Sequence, residues 1–282
     1  MANETISTSI DELSNIIIQE ARLTIQNRQD LRNTVMRRDV PAGSISTRFP
    51  KYGNISAAAV SEGAAASNTE IATTGVVLTP ATNAVVKSFI SDLASHSAPQ
   101  IAADFGRVAG DAILKKMNAD IFALYDGFST AVGTTNTDLT VAVVRTGVKK
   151  LMQANARGEI MLMITPEVWE DLMTDIADTS GYNSMISDNM RDAINAGALD
   201  VRIPLLGCTV GMVTSGIAET GDVKCGLYTP EALGYAQAWD IRVAFQRQEA
   251  SIGYDIVASS AYAVGEIDDS FGVEVLADGA DA

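Results

Sequence analysis

The side chains best suited to chemistry are few in this sequence. The only histidine is His96, in the polar segment SHSAP, and the only cysteines are Cys208 and Cys225, each inside an apolar, strand-like run. A Ser-His-Asp or Cys-His site would have to use His96, and the chain has no G-x-S-x-G motif. These three residues also lack the spacing of zinc ligands. We therefore interpret His96 as a turn residue and the cysteines as buried, reduced thiols.

The carboxylates give no stronger signal for catalysis. Glu266, Asp268 and Asp269 could collect a Ca²⁺ ion, but the spacing of an EF-hand loop is absent. Neither G-x-G-x-x-G after a strand nor the phosphate-binding G-x-x-x-x-G-K-[ST] occurs. A solvated acidic turn is the simpler interpretation. Carboxylate pairs for acid–base catalysis remain open, but we predict a protein that is not an enzyme, with no catalytic residue, cofactor or metal.

The composition of the chain indicates which kinds of partner it is unsuited to bind. The chain has 282 residues, 47% of them hydrophobic, so it can bury a large core. Its net charge of -15 makes it unsuited to binding the phosphates of nucleic acids. We see neither a signal peptide nor an apolar run of membrane-spanning length. We expect a protein of the cell interior with no membrane partner.

Charge is distributed unevenly along the chain. Five arginines lie between positions 22 and 38, whereas no lysine or arginine follows Arg247. The two ends could face different partners, or both could be solvated surfaces. The first segment also contains a capping box from Ser9 to Glu12, followed by apolar residues at helical spacing. Such an amphipathic helix needs another surface to cover its apolar stripe.

The segment from Tyr52 to Gly75 is rich in Ala, Ser, Thr and Gly, and only Glu62 and Glu70 are charged. It is flanked by SISTRF, a strand pattern that we expect to stop at Pro50, and by a returning strand from Gly75 to Ile90 with a break at Pro80. The pattern predicts a long hairpin whose tip cannot hold itself together. A floppy surface loop is the alternative.

The remaining pattern mixes helices and strands. A long helix is predicted from about Gln100 to Asp126, in which Gly106 and Gly110 indicate either close approach of another backbone or simple tolerance. A helix from Asp138 to Ala154, the strand EIMLMI and a helix beginning at Thr165-Pro166-Glu167 follow. Strands CTVGMV and KCGLYT and long antiparallel strands after Trp239 close the chain.

The order of these parts resembles the major capsid proteins of tailed bacteriophages, with the Hong Kong 97-like fold. The stretches that carry the resemblance are the hairpin with VSEGA and VVKSFISD, the helix APQIAADFGRVAGDAILKKMNADIFALYDG, the segment MLMITPEVWEDLM, and GLYTPEALGYAQAWDIRVAFQRQ followed by ASSAYAVGEIDD. The resemblance runs from about Pro41 to the end. It depends on pattern and order, since no single motif is diagnostic.

The resemblance implies an α+β capsid fold with an N-terminal arm (1–40), an extended β-hairpin loop (41–92), a peripheral domain with a long spine helix (93–137 and 230–282) and an axial domain (138–229). The loop would lie across a neighbouring subunit. Its candidate contact residues are Phe49, Tyr52, Ile55, Val60, Glu62, Glu70 and Ile71. The arginines of the arm would face a scaffolding protein or the genome: Arg22, Arg28, Arg32, Arg37 and Arg38.

The function implied is self-assembly into the hexamers and pentamers of an icosahedral virion shell around double-stranded DNA. Implied partners are a separate scaffolding protein, a portal protein, a decoration protein and DNA bound without sequence preference. The arm is too short to contain the built-in scaffold of some members, which implies the separate scaffold, and we assign no crosslink to Lys51 or Lys87. Two alternatives are an encapsulin-type compartment shell and a soluble α+β enzyme.

Overall fold

The computed structural model describes residues 15–24, 30–53, 57, 59–63, 65, 68, 70, 71, 73–93, 101–156, 158–178, 203–205, 207–213 and 221–279. Helix α1 comprises residues 15–24. The later helices are α2 (Ile101–Phe122), α3 (Val141–Gln153) and α4 (Pro166–Asp178). The strands are β1 (Met36–Asp39), β2 (Thr47–Tyr52), β3 (Thr73–Leu78), β4 (Thr82–Ser91), β5 (Ala131–Gly133), β6 (Met161–Ile164), β7 (Ile203–Leu205), β8 (Cys208–Met212), β9 (Asp222–Tyr228), β10 (Leu233–Gln248), β11 (Gly253–Glu266) and β12 (Gly272–Asp278).

The long strands form a four-stranded sheet in the order β1-β10-β11-β4. Strands β10 and β11 pair antiparallel along their whole length, as predicted from their alternating pattern, and β4 pairs antiparallel with β11. The short strand β1 pairs parallel with β10 from Met36 to Asp39. The segment just before Pro41 is therefore part of this sheet.

A second, six-stranded sheet has the order β5-β12-β9-β6-β8-β7. All four residues of β6 are buried, so both faces of this strand are covered. Strand β12 pairs antiparallel with β9, and β5 pairs parallel with β12. Residues 131–133 and 272–278 thus share a sheet with the segment 138–229, from which the expected domain boundaries had separated them.

The contact between α1 and α2 explains the two glycines inside α2. The buried residues Ile17 and Ala21 of α1 face them, and a Cβ atom on Gly106 would lie 2.7 Å from the carbonyl oxygen of Ile17. A Cβ on Gly110 would lie 2.7 Å from the carbonyl oxygen of Ala21. Close backbone approach, one of the two interpretations above, is the correct one, and α2 covers the apolar stripe of α1. The capping box at Ser9 lies outside the described residues.

The hairpin is shorter than expected. Strands β2 and β3 form a separate two-stranded ribbon in which Thr47 is opposite Leu78 and Tyr52 is opposite Thr73. The expectation that the strand stops at Pro50 is wrong, because Pro50 lies within β2 opposite Gly75; a ribbon has only edge strands, and an edge strand tolerates a missing N–H. The chain breaks at Pro80 as predicted, and β4 then joins the four-stranded sheet.

The middle of the chain follows its local signals closely. Helix α3 begins after Thr140 and ends at Gln153, β6 corresponds to the predicted EIMLMI strand, and α4 begins at Pro166. The predicted strands around Cys208 and Cys225 are β8 and β9. One core cluster runs from α2 through both sheets and contains Leu114, Tyr125, Leu162, Leu227 and Tyr235.

Candidate assembly surfaces

The β2–β3 ribbon is attached to its own chain at its root, the part of the ribbon around Phe49 and Lys51. Phe49 is 0% exposed and packs in a cluster with Leu78, Ala236 and Ile267. The guanidinium carbon of Arg38 lies 5.4 Å from the centre of the Phe49 ring, a cation–π distance. Phe49 therefore anchors the ribbon on the body of its own subunit, and we withdraw it from the set of residues expected to touch a neighbour.

An ion pair fixes the same root from another side. The Lys51 Nζ atom lies 2.8 Å from Asp268 Oδ1, just after β11. Burial raises the pKa of the nearby Glu266 carboxyl, the charges of Asp269 and Asp268 raise it further, and Lys51 opposes them. Asp269 accepts a hydrogen bond of 2.8 Å from the Ser129 amide. The turn expected to be solvated is thus partly buried and connects segments of the fold.

The tip beyond this root is uncovered. Every described residue between positions 57 and 71 is exposed, including Glu62 and Glu70. The large apolar side chains are exposed too: Tyr52 is 67% exposed, Val60 46% and Ile71 51%. Ile55 lies outside the described residues. Apolar side chains on a tip that has no core of its own are typical of a surface that binds another molecule.

The arginines of the N-terminal segment differ in their surroundings. Arg32 is buried, and its Nη2 atom lies 2.6 Å from Asp30 Oδ2. Burial opposes the charge of Arg32, but the hydrogen bond and charge of Asp30 outweigh it and raise the pKa of the guanidinium. Arg32 is therefore a structural residue and not a surface that faces scaffold or DNA.

The other arginines in this segment are exposed where they are described. Arg22 pairs with Asp240 at 3.5 Å and Arg37 with Asp39 at 3.7 Å. Arg38 donates a hydrogen bond of 3.1 Å to the carbonyl of Arg48. Arg28 lies outside the described residues. Three of the five candidates thus remain available at the surface, two of them already beside a carboxylate.

The residues considered for catalysis do not form a site in the described part of the chain. Burial raises the pKa of the Cys208 thiol to about 12, so this thiol is not a thiolate at neutral pH. Cys225 is also buried, and His96 lies outside the described residues. Among described residues, no group of three His, Cys, Asp or Glu side chains could hold a metal ion. Nor does any described helix combine the length and hydrophobicity needed to cross a membrane.

Comparison with known proteins identifies the fold. No family model and no curated protein matches the chain. Among solved structures, the capsid of Ralstonia phage GP4 superimposes with a TM-score of 0.65 at 8% identity, covering 88% of each chain. A structure of Mycobacterium phage Che8 gives a TM-score of 0.59 at 19% identity, covering 82% of this chain and 84% of the other.

A virus-like particle from Pyrococcus furiosus is also similar. It gives a TM-score of 0.60 at 13% identity and covers 93% of this chain and 98% of the other. The chain therefore has the α+β fold of tailed-phage capsid proteins, and the fold predicted from the sequence is confirmed. At these identities the similarity shows the fold alone.

Proposed function

We propose that this chain is the major capsid protein of a tailed bacteriophage, whose copies assemble into hexamers and pentamers of an icosahedral DNA-containing head. The observation that carries the proposal is the ribbon, with a root buried on its own subunit and an exposed apolar tip. The capsid fold supplies the context. A tip that packs on a neighbour gains there the contacts that it lacks within its own chain.

The parts of the fold suggest where copies meet. We propose that the ribbon lies across the next subunit, that the four-stranded sheet and α2 form the peripheral domain, and that the six-stranded sheet forms the axial domain at the centre of each ring. Strands β5 and β12 are assigned to the axial domain because they pair within that sheet. Contacts between different surfaces of identical copies generate closed rings when the rotation between neighbours closes.

Assembly itself is the direct test. The purified protein, alone and co-expressed with a candidate scaffolding protein, should form shells, tubes or five- and six-membered rings, seen by light scattering and negative-stain microscopy. A species of 29.7 kDa that stays monomeric at high concentration under both conditions would contradict the proposal. An enzyme screen would then be the next step.

The ribbon provides a sharper test with a matched pair of aromatic variants. Tyr52→Ala removes an exposed ring and should leave the stability of the monomer unchanged while lowering the yield of assemblies. Phe49→Ala removes a buried ring and should cost the monomer about 3–5 kcal/mol. Equal assembly by Tyr52→Ala and wild-type protein would argue against a contact at the tip.

A second candidate is the shell of an encapsulin-type compartment. It is favoured by the similarity to the Pyrococcus particle, which covers nearly the whole length of both chains. The two functions differ in their contents. The neighbouring genes should encode a portal and a terminase for a phage head, and a cargo enzyme for a compartment. Finding a cargo enzyme encoded beside this chain would favour the second candidate.

We further propose the partners of a phage head: a separate scaffolding protein, a portal, a decoration protein and DNA held without sequence preference. Arg22, Arg37 and Arg38 are the exposed candidates for the scaffold- or DNA-facing surface. Changing Arg22 and Arg37 to Gln removes two exposed ion pairs, which should change monomer stability by less than about 1 kcal/mol each, and should lower the yield of shells. An unchanged yield would remove these two arginines from the proposal.

A further inference from the structure

Helix α3 has a basic face in an acidic protein. Lysines elsewhere lie beside carboxylates, as on α2, where Lys115 and Lys116 pair with Asp111 at 2.9 Å and Asp120 at 2.5 Å. The sequence of α3 contains Arg145, Lys149 and Lys150 and no acidic residue. Lys149 is exposed, and no described carboxylate lies within 4.0 Å of it. Its charge is therefore not neutralised within the described chain.

The basic face borders an apolar depression. A depression of about 400 Å³ is lined by Arg145, Val148, Lys149, Met152 and Gln153. Val148 is buried at its floor, whereas Met152 is 60% exposed at its side. This surface combines a positive rim with uncovered apolar area, and it suits a partner that is both acidic and apolar.

Helix α4 has the complementary surface. Its sequence contains Glu167, Glu170, Asp171, Asp175 and Asp178 and no lysine or arginine. Glu170 is exposed with no described cation within 4.0 Å, and the neighbouring Trp169 and Met173 pack against the core of their own chain but stay partly exposed. The acidic and apolar side chains that α3 would accept thus occur on a helix of the same polypeptide.

Within a chain, α4 contacts the N-terminal end of α3. Asp175 Oδ2 accepts a hydrogen bond of 2.7 Å from the amide of Val141, at the N-terminus of α3. Lys149 lies eight residues further along, about 12 Å at the rise of an α-helix. The intramolecular contact therefore leaves Lys149 and Met152 uncovered.

We propose that the basic and apolar face of α3 binds the acidic face of α4 in the next copy of the chain, with Lys149 and Glu170 as the central charge pair. This inference rests on the proposed function and names a contact within the ring. Two basic faces repel each other, as do two acidic faces, so the contact must be head-to-tail. A head-to-tail contact between two different surfaces can close into a ring when its rotation divides a full turn, whereas a symmetric contact would stop at a dimer.

Charge reversal tests this contact. Lys149→Glu places a carboxylate opposite Glu170 at the central pair, and Glu170→Lys places an ammonium group opposite Lys149 there. Each variant alone should raise the critical concentration for assembly by roughly tenfold or more, because every contact in the ring then has two like charges at its central pair. The double variant Lys149→Glu/Glu170→Lys restores opposite charges in every contact and should assemble at close to the wild-type concentration.

Mixing the two single variants provides the most specific readout. In a ring that alternates the two variants, each α3 with the Lys149→Glu change faces an α4 with the Glu170→Lys change, and each unchanged α3 faces an unchanged α4. Six-membered rings can alternate completely, whereas five-membered rings cannot. The mixture should therefore recover hexamers, tubes or flat sheets but not closed shells, and a misfolded variant could not give this recovery.

The outcomes separate the two proposals. Lys115→Glu, an exposed reversal of the same size on α2, is the control for net charge and should assemble better than Lys149→Glu. If wild-type protein assembles and Lys149→Glu behaves like this control, or if the mixture fails to recover, the inference is overturned and the proposed function stands. If Lys149→Glu loses only the response to a scaffolding protein, the occupant is the scaffold and the inference is also overturned. If wild-type protein never assembles, both fail.

Discussion

At the scale of single residues, identical side chains in one segment have different roles because their surroundings differ. Arg32 and Arg37 lie five positions apart, yet Arg32 is buried against Asp30 and Arg37 is exposed beside Asp39. A count of arginines treats them alike. Only burial separates a structural ion pair from a surface charge.

This difference gives a stability prediction. Arg32→Met leaves the Asp30 carboxylate buried without its partner, and we expect it to lower the free energy of unfolding by about 3–5 kcal/mol. Arg37→Met should change it by less than about 1 kcal/mol, the usual value of an exposed pair. Chemical denaturation of the monomers measures both, and equal effects would contradict the assignment of Arg32 as structural.

Glu266 predicts a pH dependence at the root of the ribbon. Because the pKa of this carboxyl is raised in the folded state, the folded chain binds its proton more tightly than the unfolded chain, and stability falls as pH rises above about 4.5 through the folded pKa. Glu266→Gln should therefore raise the melting temperature at pH 7 and leave it unchanged at pH 4. A Glu266→Gln gain that is equal at both pH values would contradict the argument.

At the scale of elements, the contact between α1 and α2 depends on the absence of two Cβ atoms. Gly110→Ala improves helix propensity by about 1 kcal/mol, but its methyl group would meet the backbone of Ala21, which cannot rotate away as a side chain can. We expect the full chain to lose about 1–3 kcal/mol of stability, the usual cost of overpacking.

The same substitution has its control in the chain itself. After removal of residues 1–24 the opposing backbone is gone, so Gly110→Ala should stabilise the truncated protein by about 1 kcal/mol. The sign of the effect thus reverses with the presence of α1. Stabilisation in both forms, measured by thermal unfolding, would mean that the close approach is not maintained in solution.

At the scale of the whole molecule, the net charge of -15 governs its behaviour toward DNA. Many of its cations already lie beside carboxylates, as Lys87 does beside Asp255 and Arg247 beside Asp92. Few counterions would be released on contact with a phosphate backbone. Such a surface would suit the proposed DNA-containing head, since it would hold DNA without adhering to it.

We therefore expect the free protein to leave duplex DNA unshifted in a gel at 150 mM salt, with any dissociation constant weaker than roughly 10⁻⁴ M, the weak end of non-specific binding. The triple variant of Asp104, Asp111 and Asp120 to Asn removes three charges from α2 and serves as the positive comparison, since it should bind more strongly. A shift by the wild-type protein at micromolar concentration would contradict this prediction.

The sequence by itself determined the identity and order of the elements. Periodicity predicted α2, α3 and β10–β11. Local start and stop signals predicted where α4 begins and where the chain breaks at Pro80. These signals act between residues a few positions apart, so the chain reveals them without its fold. Their order resembles that of phage capsid proteins, and this resemblance predicted the capsid fold. The composition of the tip indicated a segment that cannot bury itself.

Only the tertiary structure decided which surfaces these elements cover. The strand patterns of β5 and β12 do not specify their partners in the six-stranded sheet, and nothing local distinguishes buried Phe49 from exposed Tyr52. The same holds for Arg32, whose partner Asp30 is adjacent but whose burial comes from distant segments. Burial and sheet pairing depend on residues far apart in the chain, and these contacts exist only once the chain has folded.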